Sequence, residues 1–392
     1  MPANNHSPLV AMIANYPKGT GYAWWLMERF WNEIAIAAVT QGWQSIIIYP
    51  ENAIDNNTEQ LLDNPNRLES FLSKGGVRDI MEVYLLIRHL NIRSIYLTDR
   101  PFRSWKYFLL RLSGVQSIVV HDHTPGDRPP ITGIKGLIKR LLNLTPGITA
   151  SLFIAISPLM RQRHLLNARI PSSRSVTVTN GIVVRDLVPN AREFLLNKFK
   201  LASDCYIVCV VGRLTPYKRV DFAIRCIDEL AHEDPDSKPV LILVGGGPDR
   251  VRLEGIAGTL RSANCKVIFA GQVEDVWSIL CGVDCVMHPS AGEGLSLAIL
   301  EAMAAAQPVV VPSLPSVSQT IEHSSNGLIY QEGSLDDATR VLHDISSNNT
   351  LRTLLGMNAR RKVVEKYQLN RAIKDFNTTA IPVILSIGQK HT

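Results

Sequence analysis

Short, unbroken apolar runs alternate with stretches of helical period along the whole 392-residue chain. In the first half the runs are LVAMIA (9–14), SIIIY (45–49), SIYLT (94–98), SIVVH (117–121), LFIAI (152–156) and VTVT (176–179). In the second half they are YIVCVV (206–211), VLILVG (240–245), KVIFAG (266–271), DCVMH (284–288) and PVVVP (308–312). Most are apolar at successive positions rather than alternating, as in strands of a parallel sheet covered on both faces. Between them, Tyr22–Val39, Arg219–Ala231 and Leu295–Ala306 read as amphipathic helices. The alternation predicts an α/β chain.

About eleven strands exceed one ordinary sheet. The charge balance also changes near residue 190. Residues 1–190 carry 20 Lys+Arg against 13 Asp+Glu, a net of +7, and the remainder carries 21 against 22, or −1. A linker around Arg185–Leu201 therefore divides two doubly wound domains, 1–190 and 200–370, followed by a tail at 371–392. Ligands of such sheets bind beyond the strands' carboxyl ends, so the expected site is a cleft across which the two domains face each other.

Composition narrows the classes. Hydrophobic residues at 46% and charged residues at 19% exclude a disordered or fibrous chain. No apolar run approaches the ~18 residues of a spanning helix. The opening MPANNHSP has neither a basic nor an apolar signal region, which predicts a cytoplasmic protein. Of the six cysteines, Cys205, Cys209 and Cys285 fall in strand-like runs, where a thiol acts as a small hydrophobe, so no metal site or disulfide is expected. Residues 100–175 hold 12 basic residues and two acidic ones, Asp122 and Asp127. Such a face is either plainly solvated or suited to an anionic membrane surface or acidic acceptor. Nucleic acid is excluded for want of a recognition motif or stacking platform. Within this region GIKGLIKRLLNLTPG (133–147) interleaves basic and aliphatic residues, as surface or interfacial helices do.

The chemistry concentrates in two segments. In DCVMHPSAGEGLSLAILEAMAAAQPVVVP a strand enters a loop with Gly292 and Gly294, and a helix opens near Leu295. That arrangement aims free backbone N–H groups at an anion. Glu293 and Glu301 flank the position, about 12 Å apart by helical rise. This exceeds the roughly 5–10 Å of a glycosidase carboxylate pair. It suits a long ligand with hydroxyls at both ends, such as a nucleoside diphosphate sugar. In CVVGRLTPYKRVDFAIRCIDEL a strand ends at Gly212, and the loop before the next helix carries Arg213 and Lys218. A guanidinium fork and an ammonium there would neutralise a departing diphosphate.

The G-R-L-x-x-x-K loop and the E-G-L-S-L-x-x-x-E segment resemble glycosyltransferase family 4, the retaining family of GT-B fold. The resemblance is best from Val208 to Ile329, and GGGPD (245–249) and GQVED (271–275) also match. It implies that Arg213 and Lys218 hold the donor diphosphate, Glu293 contacts the transferred sugar and Glu301 binds the ribose hydroxyls. The amides of Leu295 and Ser296, beside Gly294, would cap a phosphate, and the base pocket would lie near Val273. In the amino-terminal half, Gly19 and Gly21 match the glycine-rich loop near the donor phosphates. A dinucleotide fingerprint is not implied, because Trp24 stands at its third glycine position. His121, beyond the strand SIVV, matches the family histidine that positions the sugar or acceptor, with His123 as the second choice.

The implied activity is metal-independent, retaining transfer from a nucleotide diphosphate sugar to a saccharide or lipid-linked saccharide, without a cofactor. The alternatives are a sugar-nucleotide epimerase or phosphorylase on the same fold, or a non-catalytic two-domain binding protein.

Overall fold

The computed structural model describes residues 7–16, 24–50, 66–145 and 147–386. It contains twelve strands: β1 (Leu9–Ile13), β2 (Gln44–Ile48), β3 (Ile92–Thr98), β4 (Ser117–Asp122), β5 (Leu152–Ala155), β6 (Ser175–Thr177), β7 (Tyr206–Val211), β8 (Pro239–Val244), β9 (Lys266–Gly271), β10 (Cys285–Met287), β11 (Val309–Pro312) and β12 (Leu328–Tyr330). Eleven match the apolar runs. The twelfth is a three-residue strand set between polar flanks, 324–326 and 331–332, and leaves no extended apolar run in the pattern. It follows Gly327, whose Cβ, if present, would lie 2.7 Å from the Val309 carbonyl oxygen.

The strands form two six-stranded sheets, ordered β2-β1-β3-β4-β5-β6 and β12-β11-β10-β7-β8-β9. Every pairing is parallel. The middle strands β1, β4, β7 and β8 are buried along their whole length, which is why they are written as unbroken apolar runs.

The described residues divide into two compact units. One comprises residues 7–124, 128–179 and 372–386, and the other 125–127 with 180–371. The chain thus passes between units at 124/125, 127/128, 179/180 and 371/372. Most of the stretch read as a linker is a helix, Ala191–Phe199, that buries Ala191 and Leu195. It packs on the Val276–Gly282 helix so closely that a Cβ on Gly282 would lie 2.5 Å from the Ala191 carbonyl oxygen.

The closing segment is two helices, Leu369–Thr379 and Ile381–Ile384, the second with a proline in its first turn. Phe376, fully buried, lies with its ring 4.8 Å from that of Phe30 and 6.1 Å from that of Tyr96. The Ser117 hydroxyl donates to the Val383 carbonyl at 2.7 Å. Chain end and first sheet therefore share one core.

Candidate active site

The site grows from the carboxyl ends of the second sheet. There the loops after β7 and β8 touch backbone to backbone. A Cβ on Gly245 would lie 2.0 Å from the Gly212 carbonyl oxygen, and Gly245 also holds φ +133°. Only glycine fits both demands. The Leu214 amide donates to the Gly246 carbonyl at 2.9 Å, and that of Gly245 to the Gly271 carbonyl at 2.7 Å. Arg213 leaves this junction exposed, with no hydrogen bond or ion pair among the described residues.

Lys218 closes a single turn of 3-10 helix, Pro216–Lys218, and Arg219 in the left-handed region (φ +51°) then starts the Val220–Glu233 helix. The Lys218 ammonium donates to the Glu293 carboxylate, Nζ to Oε1 2.5 Å. The two segments that carry the motifs are thus joined by their own charged residues.

Glu293 lies in the loop after β10 and is 9% exposed. Its Oε1 also accepts from His288 Nε2 at 2.8 Å. Burial pushes this carboxyl up. The hydrogen bond and charge of His288, with Lys218, outweigh burial and hold it down, at about 2. The backbone of Glu293 is pinned too. Its carbonyl accepts from the Gly126 amide at 3.3 Å, and its amide donates to Ser316 Oγ at 3.4 Å. Ser316 donates in turn to Asp127 from its hydroxyl at 2.6 Å and its amide at 3.1 Å. A Cβ on the adjacent Gly292 would sit 2.4 Å from the Tyr217 hydroxyl oxygen and 2.9 Å from Gly126 Cα. Glu293 is therefore presented in one fixed position.

The following helix runs Leu297–Ala304, shorter than the expected 295–306. Ser296 is its N-cap, accepting from the Ile299 amide at 3.4 Å. The chain cannot enter the helix earlier because the Ser296 hydroxyl caps the first turn. The 12 Å spacing by helical rise between Glu293 and Glu301 therefore does not apply, since Glu293 stands in the loop. Among the described residues the amides of Leu295 and Ser296 donate to no partner. With the positive helix end they leave an electropositive edge beside Glu293. Gly294 turns its carbonyl away, accepting from Gln319 Nε2 at 2.8 Å. Glu301 is 8% exposed within the helix. Val273, half-buried, follows β9, which β7 and β8 separate from β10.

The remaining candidates belong to the first unit. His121 is the fifth residue of β4 rather than the residue beyond it, and is fully buried. Its Nδ1 lies 2.5 Å from the Tyr96 hydroxyl, and burial holds the ring neutral, with His123 adding to that effect. Its Nε2, the Thr98 hydroxyl and both ring nitrogens of His123 are buried without a hydrogen-bond partner among the described residues. His123 Nδ1 lies 3.6 Å from Asp99 Oδ1, so His121 Nε2 and the Thr98 hydroxyl are the unmatched polar groups at the ends of β3 and β4 among the described residues. Gly19 and Gly21 lie outside the described residues. Among those described, no three His, Cys, Asp or Glu side chains gather as a metal site.

Several residues here were not read from the sequence. His288 had a signal, a polar side chain ending an apolar run just before a glycine loop. Gly126, Asp127 and Ser316 had none, because the Asp127–Ser316 contact spans 189 residues.

Residues 191–362 match the family model described as glycosyl transferases group 1. An uncharacterized glycosyltransferase of Methanocaldococcus jannaschii is 30% identical over 188 residues, 47% of this chain and 45% of that protein. The chain spans about half the length of the curated relatives it matches. Two solved structures are similar over almost the whole chain. A glycosyltransferase from Rickettsia africae aligns at TM-score 0.70 and 16% identity, covering 97% of this chain and 99% of that one. Anabaena Alr3699/HepE, solved in complex with UDP-glucose, aligns at TM-score 0.68 and 17% identity, covering 95% and 99%. The chain has the GT-B fold, with two Rossmann-like units.

Proposed function

We propose that this protein is a retaining, metal-independent glycosyltransferase. It moves a sugar from a nucleotide diphosphate sugar to a hydroxyl of a saccharide or lipid-linked saccharide in cell-envelope synthesis. The observation that carries the reading is the ionised Glu293, held between Lys218 and His288 beside the open amides of Leu295 and Ser296.

In this reading the donor diphosphate lies on those two amides and on Lys218 and the exposed Arg213. As the bond from the anomeric carbon to the leaving oxygen breaks, negative charge builds on the diphosphate and positive charge on the sugar. The cations and amides meet the first, and Glu293 the second. The acceptor oxygen bonds to the anomeric carbon from the same face, and its proton passes to the departing diphosphate. Glu301 holds the ribose, and Val273 borders the base. His121 Nε2 meets a hydroxyl on the acceptor side. The UDP-glucose held by the Anabaena protein supports a donor of this class.

The reading extends to a peripheral position on the cytoplasmic face of an anionic membrane. The Gly133–Leu144 helix leaves Ile134, Leu137, Ile138 and Leu141 exposed beside Lys135 and Arg140. The Trp105–Leu112 helix leaves Trp105, Phe108 and Leu112 exposed, and Phe108 abuts Gly147. Apolar residues ringed by cations are the pattern of an interfacial face.

The test is transfer from a panel of UDP-, GDP- and ADP-sugars by wild type and Lys218→Ala. We expect turnover without added metal and a loss of roughly 100-fold or more in kcat in the variant, the size seen for one lost transition-state donor. Near-normal activity in Lys218→Ala would refute the assignment, and donor turnover without acceptor would identify an epimerase instead.

A further inference from the structure

The first unit holds a second concavity, of about 650 Å³, at the carboxyl ends of β3 and β4. Five cations line it: Arg100, Arg103, Arg128, Lys139 and Arg163. The carboxylates there are already engaged. Asp122 accepts from Arg163 at 3.0 Å and from His164 at 2.9 Å, and Asp99 accepts the His123 amide at 2.5 Å. Arg100 is paired with Glu69 at 2.7 Å.

Among the described residues the other three cations have no carboxylate partner. Arg103 reaches only the Lys139 carbonyl and Asn143 Oδ1, both at 3.4 Å. Lys139 reaches only the Asn167 carbonyl at 3.2 Å. Arg128 is exposed, and its side chain has no partner among the described residues. Three uncompensated charges around one hollow favour an anion of two or more charges, and two guanidinium forks suit tetrahedral oxygens.

The wall behind them is built and buried. Asn143, 1% exposed, donates to the Ala168 carbonyl, and Asn167, 8% exposed, donates to the carbonyls of Arg128 and Pro129. These bonds fix the loop that presents Arg128. Lys139 and Asn143 belong to the Gly133–Leu144 helix, whose Ile134, Leu137, Ile138 and Leu141 are exposed to solvent.

We propose that this pocket binds a phosphate or diphosphate group on the acceptor, so that the acceptor is a phosphorylated saccharide or a lipid-linked one. The inference rests on the transferase reading above. The helix that supplies Lys139 also carries the apolar face, so a phosphate at the end of a lipid chain would reach the pocket from the membrane side.

The experiment uses the full chain with Arg213→Ala and Lys218→Ala, which removes the cations of the donor site. Inorganic pyrophosphate is titrated calorimetrically, and hexadecyl phosphate in phosphatidylcholine vesicles is tested by co-sedimentation. Arg103→Gln and Arg128→Gln are then added singly. Among the described residues the Arg128 side chain has no partner to lose, so its variant keeps the fold, which an unchanged melting temperature checks. The expected result is a loss of about tenfold in affinity for each variant. Sensitive pyrophosphate binding supports the pocket for soluble phosphorylated acceptors. Sensitive binding of the vesicles alone supports it for lipid-linked ones. Binding insensitive to both substitutions, or no binding of either probe, overturns the proposal. Donor binding by the chain with Arg213 and Lys218 intact is measured separately. Its failure would strike the transferase reading and leave the pocket result standing.

Discussion

Glu293 shows how neighbours decide the charge of a buried acid. Its folded-state value of about 2 lies below the ordinary 4.5, so the carboxylate stays ionised at any pH suited to assay. A depressed acid contributes stability that is complete above its unfolded value and is lost as pH falls from about 4.5 towards 2. Glu293→Gln is expected to flatten the stability profile across that window, measured by denaturant unfolding at successive pH values, and to lower kcat. His121 works at higher pH. Its folded-state value is pushed below 6.5 by burial, so the unfolded chain gains a proton there that the folded one refuses. The neutral histidine therefore costs stability progressively as pH falls below about 6.5. His121→Phe should remove that loss, so the stability difference between pH 7.5 and 5.5 shrinks relative to wild type. An unchanged difference would mean that the ring takes up its proton in the folded state.

At the scale of elements, the site depends on loops that meet at backbone distance. The strands β7, β8 and β9 end level with one another, and glycine lets the loops after them touch. Gly245→Ala would place a methyl 2.0 Å from the Gly212 carbonyl oxygen at φ +133°, which the pair of loops can relieve only by separating. We expect a loss of about 3 kcal/mol or more in stability. Donor affinity should fall with it, because Arg213 is carried by the displaced loop. Calorimetric melting with and without nucleotide checks both effects. Gly246→Ala is the control, since a Cβ there comes no closer than 3.5 Å to Gln272.

At the scale of the whole molecule, the chain's end completes its beginning. Phe376 fills the first unit's core among Phe30, Tyr96 and His121, and the Asn377 side chain donates to Glu33 at 2.6 Å. Phe376→Ala is expected to cost about 3–5 kcal/mol in that unit, as for other buried aromatics. Since no part of the second unit contains this ring, calorimetry should resolve a lowered first transition and an unmoved second one. A single transition shifted as a whole would mean that the units unfold together.

The amino-acid pattern by itself determined eleven of the strands, the α/β class, the loops that carry Arg213, Lys218 and Glu293, and the helix that carries Glu301. A strand buried on both faces must be apolar at every position, and a backbone that turns tightly at a strand end must use glycine, so both leave local marks. Tertiary structure alone decided the rest. The Lys218–Glu293 pair joins residues 75 apart, and Asp127 reaches Ser316 over 189. No local pattern records such a meeting. The start of the site helix at Leu297 was set by a serine cap, the passages between units by packing, and the cation-lined hollow of the first unit by side chains drawn from separate elements. Periodicity reports how each segment is buried and turned, while the site is made where segments distant in the chain are held together.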